Sequence, residues 1–280
     1  MRQGIMAHEV RKCFGSGWFK LSLFLGCLMA LTCFCEAFHY VSTGPGPDGY
    51  YVSCVGSYAN WMVVSCGQGP FAAIFFYVVP LLSTIPFSCS FRSERISGYE
   101  AQLVIRADTR SRLLSKMFAT FLSGFVVIAL SLGLNFLITS CFLPAWVPLI
   151  EEEMVTGIFT DCLFSELFYS KPLFYVLAYT FLDGLIAGVW SVFVLSVSFV
   201  IKNRVFVVVI PYLCLLCWQY LTNQVIGISG LVFCSVNIVD AMKGTYYVAK
   251  PDLASLTLQL VIMLSISVVL AFNCSKQDAI

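Results

Sequence analysis

Charge is what this sequence has least of. Of its 280 residues 11% are charged and 59% apolar, against about 25% and roughly 45–50% in soluble domains. A soluble fold of this length has too little interior for so much apolar side chain, so the composition implies an integral membrane protein. Histidine is almost missing: only His8 and His39 occur, far apart and expected on opposite membrane faces, which leaves no basis for a histidine metal centre or general base. No G-x-x-x-x-G-K-[ST] phosphate loop and no H-E-x-x-H pair is found. No enzyme site is visible and no cofactor is expected in this chain. Any ATP-driven work must be done by another subunit. The net charge of +1 gives no reason to expect nucleic acid as a partner. A small-x-small cleavage site is also missing before Glu36, so the first apolar run reads as a retained helix and not as a signal peptide.

What is present is a series of apolar runs, at about 18–38, 70–91, 113–142, 173–201, 205–221 and 253–272. A hydrocarbon core of ~30 Å takes about 20 helical residues, so the expected fold is an all-α polytopic membrane protein with six transmembrane helices. The second run holds Pro80 and Pro86 and should be kinked or broken. A further apolar stretch, 225–236, is too short to cross alone and reads as a re-entrant helix, or as half of a helix–break–helix unit with the fifth span. Residues 143–172 mix acids (Glu151, Glu152, Glu153, Asp161, Glu166) with Trp146, Ile150, Phe159, Phe164 and Phe168, the pattern of a helix lying in the interface. Basic residues are unevenly placed. Of the sixteen Lys and Arg, only Lys171, Lys243 and Lys250 fall outside the N-terminal tail, the first turn, 92–116, 202–204 and the C-terminal tail. By the positive-inside rule both termini are then cytoplasmic, and the protein is placed in a plasma membrane, in contact with its lipids.

Thirteen cysteines carry less than their number suggests. Cys214 and Cys217 have CxxC spacing inside an apolar helix and read as packing residues. Cys54 and Cys66, both in the first outer loop, are a candidate disulfide pair in an oxidising exterior, and Cys141 and Cys162 a second one. Charge inside a span is rarer and more diagnostic. Asp183 falls about ten residues into the fourth span, followed by Gly184-x-x-x-Gly188, a spacing that lets helices approach closely. Either Asp183 lines a polar translocation path, together with Asn135 of the third span, or it ties helices together or pairs locally while the glycines simply pack. Glu36 reads as an interfacial residue at the outer end of the first span.

The most hydrophilic stretch, 92–116, sits between two spans on the basic side. Ser97-Gly98-Tyr99-Glu100 has capping-box spacing, which starts a short helix over about 93–107 with Tyr99, Leu103 and Arg106 along one side. Asp108 or Thr109 offers a second N-cap leading into the third span. A short capped helix between two spans is a shape for docking. Plain retention at lipid phosphates explains its charge but not its caps. Here the sequence resembles the membrane (permease) subunits of type-2 ABC exporters. The resemblance is carried by Glu94-Arg95, Gly98-Tyr99-Glu100, Arg106 to Arg112 and Lys116, similar to that family's E-R-x-x-G-x-E stretch and the serine/arginine-rich turn and lysine after it. It implies that 93–107 is the coupling helix received by a cleft of an ATP-binding cassette subunit. Tyr99 and Leu103 would pack there, and Glu94, Arg95, Glu100 and Arg106 would make polar contacts around Gly98. It also implies that ATP and Mg are bound by that partner, and that a second permease subunit completes the path. The expected function is thus export of an amphiphilic peptide, antibiotic or lipid-like cargo. The alternatives are a secondary, ion-coupled transporter using Asp183, and a non-transporting immunity or signalling partner in the membrane.

Overall fold

Helix formation begins earlier than the apolar pattern implies. In the computed structural model, which describes residues 2–43, 52–64, 69–88, 90, 109–201, 203–229, 237–245 and 252–277, the N-terminal tail is itself a helix, α1 (Arg2–Gly15). Ser16 separates it from α2 (Gly17–Thr43): its hydroxyl accepts from the Trp18 amide at 3.2 Å, satisfying one orphan donor of the new helix. The chain continues through α3 (Pro70–Thr84), α4 (Thr109–Phe142), two short helices α5 (Glu153–Thr156) and α6 (Ser165–Ser170), then α7 (Pro172–Val197), α8 (Arg204–Ser229), the one-turn α9 (Ile238–Ala241) and α10 (Leu253–Gln277). Every regular element among the described residues is helical.

Five of these helices, α2, α4, α7, α8 and α10, are long and apolar enough to cross a membrane, so the chain is a multi-pass membrane protein. The second expected span, 70–91, emerges instead as the 15-residue α3, about 22 Å at the helical rise, followed by a turn at 85–88. Proline explains the stop. Pro86 has no N–H to give the Leu82 carbonyl, and the Ser22 hydroxyl of α2 donates to that carbonyl instead at 2.5 Å. Two more carbonyls near this end are met by α7, with Trp190 Nε1 donating to Pro80 O at 3.1 Å and Ser191 Oγ to Ser83 O at 2.7 Å. The other end of α3 is fixed by Gly69 in extended conformation, Pro70 at the first helical position and Glu36 of α2, whose carboxylate accepts from the Phe71 amide at 3.2 Å. Glu36 is thus a remote helix cap.

The centre of the bundle is α7. Of its apolar stretch 67% is buried, against 17% in α8 and in α10. Its pairing with α4 is the most extensive in the molecule, and the glycine spacing is the reason. Phe125 lies over Gly184 and Phe121 over Gly188, at 2.9 and 2.7 Å from where a Cβ would stand, while Gly124 of α4 admits Ser191 in return. The expected close approach at Gly184-x-x-x-Gly188 is present.

At one end of the bundle the connecting segments interlock. Residues 54–64 turn inward, burying Trp61, Met62, Val63 and Val64 completely or almost so. Ser57 N donates to Pro144 O at 2.9 Å, and Gly244 N to Val63 O at 3.0 Å. Thr245 packs on Gly157, the positive-φ residue that closes α5. The interfacial helix expected within 143–172 is replaced by short turns whose apolar residues divide: Ile158 and Phe168 enter the core, while Ile150 and Met154 stay exposed. This is the capped end. At the opposite end α1 lies against α4, with Cys13 buried among Val10, Phe87 and Ala119.

Candidate functional site

The coupling-helix residues Glu94, Arg95, Gly98, Tyr99, Glu100, Leu103 and Arg106 lie outside the described residues, as does Cys66. Cys54 is a buried free thiol; burial pushes its pKa up and the nearby Glu152 adds to the rise. Cys141 and Cys162 are both free, Cys141 exposed on α4 and Cys162 buried, so that second candidate pair is not bridged.

Asn135 and Asp183 are both buried inside the helical bundle, at 1% and 0% exposure, but they do different things. Asn135 is a three-way junction. Its Nδ2 donates to Ala30 O of α2 at 2.8 Å, and its Oδ1 accepts from the Met62 amide of the inserted segment at 3.1 Å. One turn away, Trp61 Nε1 donates to Leu132 O at 3.2 Å. Asn135 therefore ties α2 and residues 54–64 to α4, with its polar atoms engaged in the fold. Asp183, on the central helix, has neither carboxylate oxygen hydrogen-bonded among the described residues. No hydrogen bond joins the two residues, so the structure does not assemble them into one path.

It assembles a different site. Between α7, α8 and α10 lies a cavity of about 770 Å³, within the roughly 300–1,000 Å³ of small-molecule sites. Its walls are apolar side chains such as Trp190, Phe193, Leu215, Trp218, Ile262 and Met263. It extends from Ser255 to Ile266 along α10, about 16 Å, and its polar lining gathers at the capped end, where Gln219 and Asn237 face Ser255 and Gln259.

Those polar residues belong to a network. Asp240 is its hub: Gln219 Nε2 donates to Oδ1 at 3.2 Å, Asn237 Nδ2 to Oδ2 at 3.0 Å, and Lys243 Nζ lies 3.5 Å from Oδ1. Thr222 donates to Asn237 Oδ1 at 2.8 Å, and Asn237 reaches Asn223 at 3.2 Å. The network also holds α3, because Lys243 sits 4.9 Å over the Tyr77 ring, Gln219 Nε2 lies 3.4 Å from Tyr77 Oη, and Tyr212 Oη donates to Tyr77 O at 3.2 Å. The two charges neutralise one another, so the mouth of the cavity is polar without net charge. Sequence reasoning did not single out Tyr77, Gln219, Asn237, Asp240 or Lys243. A usable signal existed in Gln219, an amide in an otherwise apolar helix, and in the three-residue spacing of Asn237, Asp240 and Lys243.

No family model matches the chain, and no curated protein or solved structure is significantly similar to it.

Proposed function

We propose that this chain is the permease subunit of an ATP-driven exporter of amphiphiles in a plasma membrane, coupled to a separate ATP-binding cassette subunit. The observation that carries the reading is the cavity: an apolar chamber with a neutral polar mouth, in a multi-pass protein, fits a molecule that is part hydrocarbon and part polar. Two further features support it. The stretch 92–116 resembles the coupling element of type-2 ABC exporters and lies between α3 and α4, opposite the capped end. The connecting segments that interlock at the capped end are those poor in Lys and Arg, in keeping with cytoplasmic termini and with a sixth crossing made by α3 and the residues after it. In this reading ATP-driven closure of the partner moves the helix over 93–107, and the bundle opens toward the cavity.

The test is purification of the tagged protein from its native membrane in mild detergent. A stoichiometric ATP-binding subunit should accompany it and be lost when Tyr99 and Leu103 are both replaced by Asp, with transport abolished at unchanged membrane expression. Normal transport in that double variant would sink the coupling-helix assignment. One observation favours a second reading: the unpartnered Asp183 carboxylate at the centre of the bundle is what an ion-coupled carrier would use. Gradient-driven uptake that disappears in Asp183→Asn, with no ATPase in the purified complex, would select it.

A further inference from the structure

The cavity has one polar atom whose needs the protein does not meet. Gln219 is 4% exposed and lines the chamber, and its Oε1 has no hydrogen-bond donor among the described residues. The amide cannot be turned round to remove the deficit. Nε2 faces Asp240 Oδ1 at 3.2 Å, and an ionised carboxylate only accepts, so exchanging the two amide atoms would set oxygen against oxygen. A buried carbonyl oxygen without a donor is costly unless something supplies one. The remaining polar groups at this end are already matched to each other: Asp240 takes Gln219, Asn237 and Lys243, and Gln259 Nε2 reaches Ser255 Oγ at 3.3 Å. The site therefore lacks a single neutral donor at its polar end, above an apolar shaft.

On this basis we propose that the cavity between α7, α8 and α10 binds an uncharged acyl lipid whose head carries a free hydroxyl, with that hydroxyl donating to Gln219 Oε1 and the chain lying along α10 toward Ile266. The proposal rests on the permease reading only for what happens to the lipid next, since binding itself requires no ATPase. A fatty acid anion or a phosphate head does not suit the site. Its one cation, Lys243, is held by Asp240 and Tyr77, and a second anion would stand beside the Asp240 carboxylate.

The experiment uses the full chain in lipid nanodiscs and two photoactivatable probes of equal chain length: a monoacylglycerol, and the same molecule with both hydroxyls methylated. Labelling of the wild-type protein should map to α8 and α10 and favour the monoacylglycerol by roughly tenfold in half-saturating concentration, the worth of one hydrogen bond to a buried acceptor. Gln219→Met should bring the two probes to parity. Ile266→Trp, which fills the apolar end, should reduce labelling by both. Equal labelling of the wild type by the two probes, or labels outside the cavity walls, would overturn the proposal without reference to any variant's folding. In native-membrane vesicles, ATP-dependent loss of the label distinguishes cargo from a resident lipid. Discrimination that persists while ATP has no effect keeps the lipid site and removes the permease reading.

Discussion

Asn135 and Asp183 are the two polar side chains that stand out inside otherwise apolar spans, and their fates separate at the level of single hydrogen bonds. Asn135 engages both an amide proton and an amide oxygen across helix boundaries, to Ala30 O and from Met62 N. Asn135→Leu would leave the Met62 N–H without an acceptor, a cost of roughly 1–3 kcal/mol, and should lower the thermal midpoint in detergent by several degrees. Asn135→Asp should be worse, since it keeps the acceptor but sets a carboxylate against Ala30 O. An unchanged midpoint in the leucine variant would remove the junction role. Asp183→Asn, by contrast, breaks no hydrogen bond among the described residues and should leave the midpoint unchanged or raised. That both positions mattered was legible from their rarity in apolar runs. Which one was structural was not, because the acceptor on Ala30 lies 105 residues away, and Met62 belongs to a segment that reads as a free polar loop.

At the scale of helices, spacing was the better guide. The small-residue step at Gly184 and Gly188 has its counterpart in Phe121 and Phe125 of α4, also four apart, so that rings stand where two Cβ atoms would be. Gly188→Ala sets a methyl 2.7 Å from a Phe121 ring carbon and 2.9 Å from its backbone oxygen. The oxygen cannot yield without moving α4, so the variant should be clearly destabilised in a detergent melt. Gly133 supplies the control. Nothing lies within 4 Å of its Cβ position, and alanine there should be neutral or gain up to about 1 kcal/mol of helix propensity. Equal effects at the two positions would refute the close-packed seam. The same spacing logic overestimated the second span. Its apolar run continues past residue 84, but Pro86 ends the helical hydrogen bonding, and the carbonyl it orphans is met by Ser22 from another helix, which no local pattern reveals. The cavity was less legible still. It exists because α8 and α10 meet α7 while leaving space between them, a property of three helix placements, and its polar mouth joins residues from α3, α8 and α9 that are 142 positions apart at the extreme.

For the whole molecule the open question of architecture is parity, and it can be decided by labelling. Five long helices alone would put the two ends of the described chain on opposite faces; a sixth crossing through α3 and the residues after it puts them on one. The interlocked segments around Ser57, Pro144, Val63 and Gly244 share one end of the bundle, and α1 packs at the other, so the proposed topology makes a definite prediction. Single cysteines at His8, Met154 and Asn273, all exposed, would be tested with a membrane-impermeant maleimide in whole cells and after permeabilisation, in a background stripped of the other accessible thiols. Native Cys13 need not be replaced: burial pushes its thiol up to about 11, with a smaller rise from Glu9 outweighing no more than part of the lowering by Ser123. The thiolate that reacts is therefore scarce at neutral pH, and labelling at Cys13 should grow only as the pH is raised toward that value. Met154→Cys should react in intact cells, and His8→Cys and Asn273→Cys only after permeabilisation. Reaction of Asn273→Cys from outside, with His8→Cys still protected, would mean that α3 turns back within the membrane. The 92–116 stretch would then begin from a different depth, and a coupling helix at the cytoplasmic face would need another route.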